Sequence, residues 1–203
     1  MAIAAADVKA LRDRTGAGMM DCKAALEEAG GDIERATELL RVKGQAQAAK
    51  RGGREAGEGV VQSYVHHNGR IGSLVEIDCE TDFVARNDDF QALAREIAAH
   101  VAAAAPLYVS EDDVPAEARA AELNVLEQQA QEEGGDKPAE VLEKIAAGRL
   151  RKWLEEVVLL KQPHVNTDKH DGKTIEEIRA ETAATTGENI VIRRFARFGV
   201  GEG

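Results

Sequence analysis

Asp78, Glu80 and Asp82 stand at every second position of Asp78-Cys79-Glu80-Thr81-Asp82. Acids in that spacing share one face if the strand continues. Grouped carboxylates hold divalent cations or act as acid and base. This loop lacks the sixth-position glycine and the closing glutamate of a calcium loop. Strand alternation of solvent-facing acids accounts for the spacing, so no metal is expected. His66 and His67 precede Asn68-Gly69 without a third ligand at useful spacing, which makes them surface residues of a turn. Cys22 and Cys79 are the only cysteines and form no CxxC pair, as expected of a reducing compartment rather than a disulfide framework. The chain has no Walker loop, nucleophile elbow, HExxH or GxGxxG. A binding protein without cofactor is therefore expected in place of an enzyme. A hydrolase built on Asp78, Glu80 and Asp82 ranks last, for want of a nucleophile or histidine ligand.

The remaining candidate is Phe83, one of four phenylalanines in 203 residues. It lies in Cys79-Glu80-Thr81-Asp82-Phe83-Val84-Ala85-Arg86-Asn87, between a strand read over 71–77 and a helix read from Phe90 onward. A strand-to-helix corner on a rigid scaffold presents side chains outward. A bulky apolar group beside Asp82 suits a wedge for another protein, and it suits equally a cap on the chain's own core.

Other elements must position that corner. Residues 1–45 read as three short helices that need one another to bury their stripes. Asp7 to Arg14 forms the first. The second places Met19, Cys22, Leu26 and Ala29 on one stripe before Gly30-Gly31. Asp32 caps the third, with Gly44 after its end. Met19 is expected in the core on pattern alone. Met20 falls off the stripe beside a glycine-rich turn, where a soft side chain suits a partner surface. Residues 41–54 carry Arg41, Lys43, Lys50, Arg51 and Arg54 and no acid, and a basic, glycine-rich linker, helical at first, is read over 46–59.

From residue 60 to 203 the reading is an α+β core. Asn68-Gly69 between Val60–Val65 and Ile71–Ile77 signals a hairpin. Phe90, Leu93, Ala94, Ile97, Ala98 and Val101 line one face of a helix over 88–104. Two acid-rich helices follow, the second striped by Ala146, Leu150, Trp153, Val157 and Leu160. Thr174 to Thr185 is a further helix, and Ile190 to Phe195 a late strand able to join the hairpin. The fold class is thus α+β, with a small antiparallel sheet after a three-helix unit.

The charge balance, 37 acids against 26 bases for a net of −11, argues against nucleic acid as a direct partner and against an anionic membrane. Aromatic content of 3% leaves little for base stacking. With no signal-peptide pattern and no apolar run of spanning length, a soluble cytoplasmic protein is expected.

Two motifs are specific. Arg12-x-x-Thr15-Gly16-Ala17-Gly18-Met19-Met20-Asp21-Cys22-Lys23-x-Ala25-Leu26 with Gly31-Asp32, and Thr81-Asp82-Phe83-Val84-Ala85-Arg86-Asn87, resemble bacterial translation elongation factor Ts. The ending Phe198-Gly199-Val200-Gly201-Glu202-Gly203 looks like that family too. The resemblance implies a guanine nucleotide exchange factor for elongation factor Tu, binding its GDP-bound and nucleotide-free forms. It implies a ubiquitin-associated-like fold for residues 1–45, with Met19 and Met20 in contact with the nucleotide-binding domain of Tu. It implies that Asp82 and Phe83 press near the magnesium site of Tu, Phe83 as the wedge, with Thr81 and Val84 shaping the corner.

Many members are longer, with a second core copy and a coiled-coil insertion. This chain has room for one core copy, and no long antiparallel helical hairpin is read within 110–162. By analogy with short members a homodimer would supply the second core surface, with the Trp153 stripe and the last strand as its candidate interface. A helical adaptor binding another partner through residues 1–45 is the alternative function.

Overall fold

The computed structural model describes residues 3–135 and 137–202. Three helices open the chain: α1 (Ala5–Thr15), α2 (Met19–Glu28) and α3 (Ile33–Arg51). Each is too short or too polar to persist alone, and they share one core of Val8, Leu11, Cys22, Ala25, Leu26, Ala36 and Leu40. Gly16, at φ 67°, ends α1, and its N–H bonds the Arg12 carbonyl. Asp32 starts α3 by accepting from the Arg35 N–H at 3.0 Å.

The expected stop at Gly44 is corrected: α3 runs on through Arg51. Gly44 marks a close approach instead, since a Cβ there would lie 3.5 Å from that of Ala184. Ala184 belongs to α9 (Ile175–Thr186). Arg41 pairs with Glu177 at 2.6 Å, and Arg51 donates to the Ala183 carbonyl at 3.1 Å. Small residues at the contact let two helix backbones come near, and a glycine there costs α3 only about 1 kcal/mol of propensity. The helical start expected of the basic stretch is this last part of α3.

The sheet has the order β1-β2-β3, from β1 (Glu58–Val65), β2 (Ile71–Cys79) and β3 (Val191–Gly199). The Asn68-Gly69 turn closes the β1-β2 hairpin, with Gly69 at φ 66° and His66 N–H bonding the Ile71 carbonyl at 2.8 Å. One face of β2 is sealed: Val75, Ile77 and Cys79 have no exposure. Helix α5 (Asp88–Ala104) matches its sequence-read bounds, and Phe90, Ala94, Ile97, Ala98 and Val101 are fully buried. Two hydrogen bonds seat it: Ser73 Oγ donates to the Ala98 carbonyl at 2.7 Å, and Arg197 Nε to that of Ala102 at 2.9 Å.

Residues 110–162 overturn the expectation that no long hairpin forms there. Helices α6 (Ala116–Gly134) and α7 (Ala139–Val157), 19 residues each, pack against each other antiparallel. Leu126, Ala130 and Ala146 form their buried seam, joined by Leu123, Ile145 and Leu150. An Arg149–Glu133 ion pair bridges the two helices. Trp153 is partly buried against Val114, Leu154 and Val158 of its own chain. No described helix is long and apolar enough to cross a membrane.

By contact the chain divides into two compact units. One joins residues 1–62, 75–96 and 177–193, and the other joins 63–74, 97–176 and 194–203. The expected boundaries at 45 and 59 therefore remain a proposal about domains, and the three-helix unit lies in the first of these units.

Candidate functional site

The corner after β2 is a single helical turn, α4 (Asp82–Ala85), followed at once by α5. Four residues cannot hold a helix in water by themselves, so the surroundings must fix it. From below, Gln91 Nε2 donates to the Ala85 carbonyl at 2.6 Å, and Asn87 Oδ1 accepts from the Asp89 N–H at 2.8 Å. Ala85 and Phe90 are buried on that side. Phe83 points the other way and is 80% exposed. Of the two sequence readings, a cap on the chain's own core is thus excluded. A phenyl ring left in water forgoes about 1.5–3 kcal/mol of burial, a standing cost that a partner's pocket would remove.

The three spaced acids do not form one strand face, because β2 ends at Cys79 and Asp82 already belongs to α4. Each has its own cation. Asp78 accepts from Arg193 Nε at 2.7 Å, Glu80 faces Arg54 at 3.4 Å, and Asp82 pairs with Arg86 at 3.0 Å one helical turn on. The expectation of alternating solvent-facing acids is corrected accordingly: Asp78 is buried and Glu80 largely so. Their negative charge is already compensated by arginine, which leaves little to draw a cation.

The corner is also held from a part of the chain that sequence reading missed. Helix α9 ends at Gly187, whose φ of 79° a side chain would resist and whose N–H caps the Ala183 carbonyl. The next residue, Glu188, receives three hydrogen bonds on one carboxylate. Backbone N–H groups of Glu80 and Thr81 both reach Oε2 at 3.0 Å, and the Thr81 hydroxyl donates to Oε1 at 2.6 Å. Buried Asn189 completes the seam: its N–H donates to Glu80 Oε1 at 2.6 Å and its Nδ2 to the Arg54 carbonyl at 2.9 Å. Thr81 also accepts from the Val84 N–H, at 3.4 Å, as N-cap of α4. The only local hint was an acid after a helix-ending glycine, and its partners lie 107 residues back.

Cys79 sits under this seam with no exposure. Burial pushes its thiol up to about 11, helped by the neighbouring Glu188 carboxylate and only partly offset by backbone hydrogen bonding at Thr81. The thiol is a packing group with no nucleophilic use.

At the N-terminus the two methionines separate as follows. Met20 is 74% exposed, as its place off the stripe required. Met19 is 46% exposed at the first position of α2. This corrects the expectation that it packs in the core, where Cys22 and Leu26 take that role.

Comparison with known proteins agrees over nearly the whole length. The family model described as Elongation factor TS matches residues 33–171. The chain is 55% identical to Elongation factor Ts of Moorella thermoacetica, covering 99% of this chain and 97% of that protein. It is 57% identical to Elongation factor Ts of Carboxydothermus hydrogenoformans, covering 97% of this chain and 88% of the other. The protein from Anaeromyxobacter is 55% identical over 196 residues. Long coverage at such identity, with the exposed phenylalanine on its braced turn, leads to one conclusion: this chain belongs to the elongation factor Ts family.

Proposed function

We propose that this protein is a guanine nucleotide exchange factor for elongation factor Tu and acts in the cytoplasm during translation elongation. The observation that carries the reading is Phe83, 80% exposed beside Asp82 on a turn braced from two directions. In the proposed complex Thr81, Asp82, Phe83 and Val84 form the contact near the magnesium and phosphate site of Tu, with Phe83 as the wedge. Met19 and Met20 contact its nucleotide-binding domain. Phe83 and Met20 are among the most exposed large apolar side chains described, which suits a surface covered only in a complex.

Energetics limit what the wedge does alone. A nucleotide held at nanomolar affinity is bound by about 12 kcal/mol. One buried aromatic anchor contributes about 2–4 kcal/mol. The rest of the interface must therefore stabilise nucleotide-free Tu. Linkage then requires GDP to weaken factor binding by the same ratio as the factor weakens GDP, so the ternary complex comes apart readily in either direction. The factor is not consumed, and no covalent chemistry is needed of it.

We further propose a homodimer, which would supply a second core surface to a chain with one sheet. Val65, Leu74, Phe198 and Val200 are exposed apolar residues of the unit that carries the strand ends, and they suit such an interface.

The test is release of a fluorescent GDP from elongation factor Tu. Wild-type protein at substoichiometric concentration is expected to accelerate release, and Phe83→Ala to lose at least about tenfold of that acceleration. Acceleration unaffected by the change would move the mechanism elsewhere on the interface. No acceleration by wild type would return the helical adaptor, binding through residues 1–45, to first place.

A further inference from the structure

We propose that Glu188 is a positioning residue for exchange, fixing through Thr81 the direction in which Phe83 is presented. The inference rests on the reading of Phe83 as the wedge and adds a residue remote from it in sequence.

One helical turn such as α4 has too few internal hydrogen bonds to set its own axis. Its N-cap bond, from Val84 N–H to Thr81 Oγ1, is long at 3.4 Å. The bonds that converge on Thr81 from Glu188 are shorter, at 3.0 Å from its N–H and 2.6 Å from its hydroxyl. Hydrogen bonds to a charged acceptor are also the stronger kind. Thr81 is thus oriented by Glu188 first. Donating its proton to Oε1 turns an oxygen lone pair toward the Val84 N–H, so the same contact that anchors Thr81 aims the cap.

Glu188 is itself held. Gly187 reverses the chain at the end of α9, and Asn189, 2% exposed, ties the following backbone to Glu80 and Arg54. Helix α9 in turn is fastened to α3 by Arg41–Glu177 and by Arg51 to the Ala183 carbonyl. Phe83 makes no part of this seam, and removing Glu188 leaves its own side chain unchanged. What is lost is orientation. A wedge works only at the angle its pocket admits, and small misplacement of such a group is costly.

A role through Phe83 differs from a merely stabilising role in one respect: its effect must vanish when Phe83 is gone. The experiment is a double-mutant cycle on GDP release from elongation factor Tu, with Phe83→Ala, Glu188→Ala and the double variant, each measured over a range of Tu·GDP concentrations. Glu188→Gln, with similar shape and one remaining acceptor, is the second single variant and stands in if the alanine change does not fold. Glu188→Ala is expected to lower the maximal exchange rate about tenfold, the loss of a charge-assisted anchor, with a smaller change in the half-saturating concentration. Glu188→Gln is expected to fall between it and wild type. In the Phe83→Ala background, removing Glu188 is expected to cost less than twofold.

Additive losses would overturn the proposal and make Glu188 a stabilising residue only, as would single Glu188 variants with wild-type exchange. If Phe83→Ala itself exchanges like wild type, the wedge reading fails and this proposal fails with it. A wild-type protein that fast-releases GDP, slowed by Phe83→Ala and untouched by Glu188→Ala, would sink the positioning role alone.

Discussion

Phe83 and Cys79 stand four residues apart and illustrate opposite uses of an uncommon residue type. Phe83 is kept out of the core by its neighbours. Ala85 and Phe90 take the buried positions on that side, and the turn of α4 leaves the ring facing water. Sequence alone held both readings of Phe83 open, because burial of a single residue at a corner depends on where one short turn points. The same ambiguity misplaced Met19, whose spacing fits the stripe of Cys22 and Leu26 but whose position at the start of α2 leaves it at the helix end. Cys79 is the converse, a thiol raised to about 11 from an ordinary 9.0. At pH 8 its thiolate fraction is about 100-fold below that of a free cysteine. Native protein should therefore leave Cys79 unalkylated by iodoacetamide while denatured protein reacts at both cysteines, as peptide mass mapping would read. Rapid native labelling at Cys79 would mean that the corner opens.

Elements were legible where periodicity was unbroken. The apolar face of α5 is dense, and its bounds at 88 and 104 were read directly. The late strand and the hairpin followed from β-branched runs and Asn68-Gly69. The hairpin of α6 and α7 was not legible, because a two-helix seam needs few apolar residues. Leu126, Ala130 and Ala146 carry it among many acids, so the stripe read on α7 did not show that α6 would be its partner. The length of α3 escaped because Gly44 reads locally as a stop, whereas α9 supplies the contact that carries the helix past it.

His100, buried on α5, accepts from the Val165 N–H at Nδ1, 3.2 Å, so Nε2 carries its proton and meets Gln162 Oε1 at 2.8 Å. Gln162 is oriented by donating to the Glu156 carbonyl at 2.6 Å. This network needs neutral imidazole. Burial, opposed by the Gln162 bond and reinforced by nearby His164, lowers the His100 pKa from 6.5 to about 4. Between those values the unfolded chain binds a proton that the folded chain refuses. The contribution is whole above pH 6.5 and is lost as pH falls toward 4, about 3 kcal/mol in all. Urea unfolding at pH 7 and pH 5 should show about 2 kcal/mol of this loss. His100→Gln, itself less stable, should flatten that part of the profile; an unchanged slope would place the acid sensitivity elsewhere.

Among the described residues, a three-stranded sheet, the α6–α7 hairpin and helices α5 and α9 follow the N-terminal helices. The coverage of 97% of the Moorella thermoacetica protein and 88% of that from Carboxydothermus hydrogenoformans places the chain among relatives of similar length. If the proposed homodimer forms, light scattering at micromolar concentration should give about twice the chain mass of 21.8 kDa, and charged substitutions at Leu74 or Phe198 should return it to one. A monomeric mass for the wild type would exclude the dimer. Class, sheet and the TDFV corner could be read from sequence because they are local. The brace on that corner could not, since it joins residues more than a hundred positions apart. That separation also sets an order in time. A ribosome making this chain delivers Thr81 and Phe83 long before Glu188 and Asn189, and until those last segments emerge the turn has its local contacts at Gln91 and Asn87 but lacks the brace on Thr81. Activity of the nascent protein should therefore switch on late and abruptly, when residues 177–193 join the unit begun at the N-terminus, so that an unfinished chain does not engage its partner.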